Sequence, residues 1–408
     1  MVGLHEDLQS AGGVDDILAL VSKRGDRFTS FHTAVAIGRL LKLAKSGEDE
    51  RAWRLEGERL SRDPRFARLI DSVRTHCPSF RASDGAKVLQ ALGVLQADLG
   101  ALSVDEVLAA QLAGFVEREA RAMKPQAVGV SLNALGKTEA AAAAVSPSGW
   151  TGLAQAVDRT ACEIDPQSLA HLLSGVAKLE VAAAAVTPSG WAGLGEAVGN
   201  SVSLMTPHVV ASTLISLCKL EAVAVAVTPS GWAGLAEAVG RGAHWINNLP
   251  DYSPDLMTWR AGQTVAGTLE SLCKLEAAAA AVTPSGWAHL GGAVEKTARA
   301  MTPQAVARTL NALCTLEAAA VAVTPLGWAA LAEAVERTAN EMNPQEVSNT
   351  LYTLGVLPAA AAELSPSAWT YLEAAAEREA PSMTSYEREA TLRGCEKLKL
   401  RIPSALSE

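Results

Sequence analysis

The sequence predicts an all-α fold, a right-handed αα-hairpin solenoid (superhelix) of about seven to eight repeats of 41 residues. Two recurring motifs predict it. A Pro-x-Gly/Ala-Trp motif places its tryptophans 41, 41, 55, 41 and 41 residues apart, at Trp150, Trp191, Trp232, Trp287, Trp328 and Trp369. A motif that is usually Met-x-Pro-Gln follows the same spacing, at Gln126, Gln167, His208, Gln263, Gln304 and Gln345. One hairpin alone cannot bury the apolar faces of both elements, so neighbouring hairpins must stack.

The tryptophan motif predicts the start of the first helix of each repeat, helix A. In the sequence from Thr324 to Trp328, the threonine hydroxyl can cap free amides, and the proline at the first helical position gives up no hydrogen bond. Trp328, Leu331 and Val335 then follow at offsets 0, +3 and +7. This spacing places them on one apolar face of the helix.

The proline-glutamine motif predicts the second helix, helix B, by the same start signal in Thr302-Pro303-Gln304. Val306, Leu310 and Leu313 fall at offsets 0, +4 and +7 and form its apolar face. An Ala/Val-rich connector follows, for example 317–323, and the sequence does not fix whether it extends helix B by a turn.

Three regions are predicted. Residues 1–75 form an N-terminal helical cap with degenerate repeats, 76–385 form the repeat array with a 14-residue insertion near 240–258, and 386–408 form a C-terminal capping helix and tail. The segment Ser83–Leu89 fits helix B, and Tyr386 falls 41 residues after Gln345. Basic residues of the tail suit a polar cap or, alternatively, an RNA contact: Arg388, Arg393, Lys397, Lys399 and Arg401.

The insertion is the one aromatic-rich, irregular stretch that the sequence predicts. It contains His244, Trp245, Asn247, Asn248, Pro250, Asp251 and Tyr252. Loops on a rigid scaffold often bind ligands, and a surface loop that folds back over neighbouring hairpins is the equal alternative.

Composition and motifs disfavour several classes of protein. The net charge of -9 argues against a uniformly basic surface that binds nucleic acid through charge alone. No apolar run is long enough to span a membrane. No nucleotide-binding, metalloprotease or hydrolase motif occurs, so we expect no enzyme, no catalytic residue and no cofactor. The six cysteines show no metal-ligand spacing; we expect no metal site, and buried, reduced thiols. No targeting peptide is visible, which leaves the cytoplasm open.

Comparison of the repeats separates constant from variable positions of helix B. With the glutamine position as zero, offset +6 is always leucine, while +4, +7 and +11 lie together on another face, the B-helix stripe. Offsets +4 and +7 supply the variable polar candidates Asn133, His171, Ser212, Glu270, Arg308, Asn311, Asn349 and Tyr352. Offset +11 supplies Lys137, Lys178, Lys219 and Lys274. Drift on a solvated helix face is the alternative explanation, and Val130 and Ile215 interrupt the pattern.

The segment Met342–Leu354, which is Met-Asn-Pro-Gln-Glu-Val-Ser-Asn-Thr-Leu-Tyr-Thr-Leu, resembles the helix-B signature of octotricopeptide-like repeats. Met301–Leu313 and Met123–Leu135 are weaker copies, and the resemblance covers about Ser83–Leu400. Members of that family are αα-hairpin solenoids, mostly of mitochondria and plastids, that bind organellar RNA in transcript stabilisation, processing, translation or ribosome structure. The repeats of FAST-kinase-like and RAP-containing proteins are similar.

Together these observations predict sequence-selective binding of single-stranded RNA or ribosomal RNA on a concave surface lined by helix B, in a mitochondrion or plastid. The lysines of the stripe would contact phosphates and its other polar residues would contact bases. The rival hypothesis, which the net acidity favours, is a scaffold that holds protein partners in the same groove, including a structural subunit of a mitochondrial ribosome.

Overall fold

A computed structural model describes residues 2–46, 50–250 and 255–406. Within these ranges it contains 26 α-helices and several short 3-10 turns, and no strand. The predicted all-α fold is therefore confirmed, and its consecutive helices pack as in a helical-repeat solenoid. The chain divides into two compact units, which are described separately: the first unit is Met1–Ser201 with Lys219–Thr228, and the second is Val202–Cys218 with Pro229–Glu408.

The helices are named in chain order. The first nine are α1 (Val2–Ser10), α2 (Val14–Arg24), α3 (Ser30–Ala44), α4 (Glu50–Ser61), α5 (Pro64–His76), α6 (Ala82–Ala97), α7 (Glu106–Glu119), α8 (Pro125–Leu135) and α9 (Glu139–Ala144). The next eight are α10 (Pro147–Thr160), α11 (Pro166–Val176), α12 (Glu180–Ala185), α13 (Pro188–Ser201), α14 (Pro207–Leu217), α15 (Glu221–Ala226), α16 (Pro229–Asn247) and α17 (Asp255–Lys274). The last nine are α18 (Glu276–Ala281), α19 (Pro284–Thr297), α20 (Pro303–Thr315), α21 (Glu317–Ala322), α22 (Pro325–Thr338), α23 (Pro344–Leu354), α24 (Pro358–Ala362), α25 (Pro366–Glu379) and α26 (Ser385–Leu398).

Each repeat contains three helices rather than two. The A helices are α7, α10, α13, α16, α19, α22 and α25, and the B helices are α8, α11, α14, α17, α20, α23 and α26. The alanine-rich connectors form separate short C helices, α9, α12, α15, α18, α21 and α24, and do not extend helix B. One residue makes the break: Leu316, between α20 and α21, has φ -95° and ψ 86°, and a ψ of this value lies outside the helical region.

The predicted caps start the A and B helices. Thr324 Oγ1 accepts a hydrogen bond of 3.0 Å from the Gly327 amide at the start of α22. At the start of α23, Asn343 Oδ1 accepts from the Glu346 amide at 3.0 Å, and Glu346 Oε2 accepts from the Asn343 amide at 2.9 Å. These reciprocal bonds satisfy amides that the first helical turn leaves free.

Like helices stack on like helices in each unit. In the first unit α3, α6 and the B helices α8 and α11 pack in that order, so α3 and α6 hold B-helix positions at the start of the stack; in the second unit the order is α14, α17, α20, α23, α26. An arginine of the A helix links successive repeats: Arg337 Nη2 of α22 donates to the Met301 carbonyl at 2.7 Å, and Arg378 of α25 donates to the Met342 carbonyl at 2.9 Å. The same bond joins Arg159 to Met123 in the first unit, at 3.0 Å. Each repeat thus anchors the backbone just before the preceding B helix.

The insertion is more regular than predicted. Helix α16 continues to Asn247 and α17 begins at Asp255, so most of the extra residues lengthen two helices rather than form one irregular loop. Ala243 and Ile246 are buried, which explains why the helix continues beyond the usual length. Asn247 Nδ2 also donates to the His289 carbonyl of α19 at 2.9 Å. The predicted insertion residues Asp251 and Tyr252 lie outside the described residues.

Candidate functional site

The B-helix stripe lies at the surface of each unit. In the first unit Lys178 and Lys219 are exposed, and Asn133, Lys137 and His171 are half-buried. In the second unit the exposed members are Lys274, Arg308 and Asn311, and the half-buried members are Ser212, Glu270, Asn349 and Tyr352. Val130 and Gly267, at offset +4 of their repeats, are buried and contribute nothing to this surface.

A lysine cluster of the first unit consists of Lys45, Lys137, Lys178 and Lys219, with Asp98 between the first two. Asp98 accepts from Lys45 Nζ at 2.9 Å and from Lys137 Nζ at 3.0 Å. Burial alone raises the pKa of Asp98, but these two ammonium groups outweigh burial and hold the pKa below its ordinary value. One carboxylate thus forms ion pairs with two lysines.

The remaining two lysines of the cluster have no carboxylate partner within the described part of the chain. The stem of Lys178 crosses the end of the preceding B helix, where a Cβ on Gly136 would lie 3.3 Å from Lys178 Cδ. Burial lowers the pKa of Lys178, and the charges of Lys137 and Lys219 lower it further, while Asp98 opposes them weakly. The cluster therefore carries an excess of positive charge that the folded protein itself does not balance.

This excess gives a testable stability prediction. Because the folded state disfavours the charge of Lys178, we expect Lys178→Gln to raise the free energy of unfolding slightly, by less than about 1 kcal/mol at neutral pH. Since the folded pKa is lowered, the penalty is fully present below the folded pKa and disappears as pH rises towards the unfolded value. Urea unfolding at pH 7 and pH 10 measures both effects. A clear loss of stability at pH 7 would mean that Lys178 supports the fold.

A second basic region lies on the same face of the first unit, between helices α6 and α8. A cleft of about 670 Å³ there is lined by Arg81, Lys87 and Lys124, among others. All three are exposed and none forms an ion pair with another described residue. These three residues are not among the predicted candidates, although Lys87 follows Ser83, the glutamine position of α6, by four residues and so belongs to the stripe.

In the second unit the charges of the stripe are balanced locally. Glu270 Oε1 pairs with Lys274 Nζ at 2.9 Å, and Glu270 Oε2 pairs with Arg308 Nε at 3.3 Å. Lys274 is therefore not a free cation as Lys178 is. Lys397 of α26 occupies the same offset, +11 from Tyr386, and its ammonium lies 5.8 Å from the centroid of the Tyr352 ring.

An amide cleft of about 240 Å³ runs beside these charges, between helices α17, α20 and α23. Its lining includes five carboxamide side chains: Gln304, Asn311, Asn343, Gln345 and Asn349. Apart from the cap residue Asn343, none of these side chains forms a hydrogen bond with another described residue. Gln304 and Gln345 define the repeat in the sequence but were not predicted as binding residues. Their offset of zero lies on the same helix face as +4 and +7, and this spacing could have predicted them.

The acidic residues of the repeats lie mainly on the A and C helices. Each of five C helices begins with an exposed glutamate: Glu139, Glu180, Glu221, Glu276 and Glu317. On the A helices, Glu117 Oε1 accepts from the Ser146 amide at 2.8 Å, and Glu295 Oε2 accepts from the Thr324 hydroxyl at 2.6 Å. Those carboxylates hold the cap of the following A helix. The net negative charge is thus compatible with a basic B-helix surface.

Other site classes find little support in the described residues. No group of three or more His, Cys, Asp or Glu side chains in these ranges is placed to hold a metal ion. None of the helices in the same ranges is both long enough and apolar enough to cross a bilayer. The cysteines are free, and Cys77 and Cys395 are buried as expected. The expectation was wrong for Cys162, which is exposed because it lies in the surface turn Ala161–Glu163.

Comparison with known proteins adds little. No family model and no curated protein matches the sequence. Among solved structures, a chain of a structure described as a homology model of the full-length AP-3 complex in an intermediate open conformation is similar over 97% of this chain and 82% of that chain. The identity is 10% and the TM-score is 0.26, which is too low for any conclusion about function.

Proposed function

We propose that this protein binds single-stranded RNA along the exposed surface of its B helices. One observation carries the proposal: unpaired cations and unpaired amides share that surface, while the acidic residues lie mainly on the A and C helices. Lys178 and Lys219 supply cations without carboxylate partners, and Asn311 and Asn349 supply amides without protein hydrogen bonds. Phosphates attract the first kind of group, and base edges pair with the second.

Single-stranded RNA suits this surface better than a duplex does. Amides and a half-exposed tyrosine, Tyr352, recognise base edges and base faces, which are accessible only where bases are not paired and stacked. The finer parts of the proposal are a role in organellar RNA metabolism or with ribosomal RNA, and a right-handed superhelix of about seven to eight repeats. They rest on the resemblance to octotricopeptide-like repeats and on the 41-residue period.

Binding to labelled RNA tests the proposal. We expect full-length protein to bind single-stranded RNA of about 30 nucleotides, and log K to fall with log salt with a slope of about -2 or steeper, since each phosphate contact contributes about -0.7. Fluorescence anisotropy between roughly 50 and 300 mM salt measures the slope. Duplex RNA of the same length is the matched control, and we expect weaker binding to it.

Absence of RNA binding at low salt would refute the proposal and would favour the scaffold hypothesis. One feature supports that rival: the C and A helices expose apolar side chains, among them Val225 and Val321, each 80% exposed, and Leu326, 70% exposed. Equal affinity for single-stranded and duplex RNA would also contradict the proposal of single-stranded RNA binding, because phosphate attraction alone would then account for the binding.

A further inference from the structure

We infer that the two units divide the work of binding RNA: the first unit holds the phosphate backbone whatever the sequence, and the amide cleft of the second unit recognises bases. This inference rests on the proposed function. It goes beyond the proposed function because it assigns affinity to residues of one unit and selectivity to residues of the other. The B-helix stripe considered alone would place both kinds of residue in every repeat.

The first unit has the chemistry of a phosphate site. Its lysine cluster contains four ammonium groups and one carboxylate, Asp98, so at least two positive charges are left for a ligand. Burial lowers the pKa of Lys178 most, and the charges of Lys137 and Lys219 lower it further; a phosphate placed among the three lysines would relieve that repulsion. Arg81, Lys87 and Lys124 add further unpaired cations around the neighbouring cleft.

The first unit has fewer free carboxamides on its B-helix face than the cleft of the second unit has. At offset +4, Val130 is buried, and His171 is bonded to Gln167, with 3.0 Å between Nε2 of each residue. The variable amides of the stripe in this unit are Asn133 and, at the same offset in α6, Gln90, and both are half-buried. Cations that contact phosphates strengthen binding without reading sequence, because every nucleotide carries the same phosphate.

The second unit has the opposite character. Glu270 pairs with both Lys274 and Arg308, and Glu346 is a second carboxylate in the lining of the same cleft, so two acids balance two cations. Balanced charges give a phosphate no net attraction, while the carboxylates can accept hydrogen bonds from the amino groups of bases. The amides beside them both donate and accept, and such groups discriminate between base edges. The cleft therefore favours a base over the RNA backbone.

Two double variants of the full-length protein test this division. Lys178→Gln with Lys219→Gln removes the unpaired lysines of the first unit, and Asn311→Ala with Asn349→Ala removes two amides of the cleft. The charge control is Lys23→Gln with Arg68→Gln, two exposed, unpaired cations of the same unit that lie in α2 and α5, outside the B-helix stripe. Each protein is titrated with oligo(A), oligo(C) and oligo(U) of about 15 nucleotides over a salt series.

The expected results differ in kind. The lysine variant should lose affinity for all three RNAs by the same factor, about tenfold at low salt, and its salt slope should be shallower by about 1.4, which is 0.7 for each lost contact. The amide variant should keep the wild-type slope, and the ratio between its tightest and weakest RNA should fall severalfold towards one. The charge control should match wild type in slope and ratio.

The outcomes that overturn the division differ from those that overturn RNA binding. If wild type binds none of the RNAs, the proposed function itself fails. Two other results would support RNA binding and contradict the division between the units. In one, wild type binds all three RNAs with a steep salt slope but without preference; in the other, the lysine variant changes the ratio between the tightest and weakest RNA as much as the amide variant does. Circular dichroism of each variant checks that its helices are intact.

Discussion

Gly175→Ala should lower the free energy of unfolding by about 2–3 kcal/mol, although it adds a single methyl group. Gly175 lies in α11 of the first unit, where it faces the backbone of the preceding B helix, α8. A Cβ at this position would lie 2.5 Å from the Asn133 amide nitrogen, closer than real contacts allow. Because the obstacle is backbone, the two helices must move apart, and the packing around them is lost.

A matched control separates this packing effect from the helix propensity of glycine. Gly114 is exposed within α7, and a Cβ there would have no neighbour within 4 Å, so Gly114→Ala should stabilise the protein by about 0.5–1 kcal/mol. Urea unfolding followed by circular dichroism measures both variants. Hydrogen exchange should show the loss for Gly175→Ala in α8 and α11. A gain in stability from both substitutions would show that the B helices are not in backbone contact.

The sequence was sufficient to predict the A and B helices because their signals are local. Proline at the first helical position, a threonine or serine before it, and apolar residues at offsets such as +3 and +7 each act within one or two turns. The recurrence of Trp328 and Gln304 at a 41-residue period then indicates stacking. A capped helix such as α22 therefore begins where predicted, with Thr324 as its cap.

The C helices and the charge balance of the site could not be predicted in the same way. A connector such as 317–323 has no proline or glycine before it, so the sequence carries no signal that Leu316 leaves the helical region. Asp98, the partner of Lys137, follows α6 and does not belong to the repeat pattern, so only the packed structure brings the two together. Glu270 belongs to the stripe, but whether it binds a ligand or neutralises Arg308 depends on the next helix.

The recurring tryptophan should contribute more to the free energy of unfolding where it is more buried, and its burial differs between repeats. Trp328 of α22 is only 7% exposed, and α22 packs against the neighbouring A helices α19 and α25. Trp328→Ala removes a large buried side chain and leaves a cavity that packed helices fill poorly. We expect a loss of about 3–5 kcal/mol in the free energy of unfolding, measured by urea denaturation followed by circular dichroism.

Trp369 is the matched control, because it holds the same motif position in α25 but is half-buried. Trp369→Ala should cost less than half as much, since much of that ring already contacts water in the folded state. Equal losses at the two positions would mean that the tryptophan stabilises its own hairpin and not the contact with the next repeat. A small loss at Trp328 alone would contradict the stacking of A helices, on which the common surface of the B helices depends.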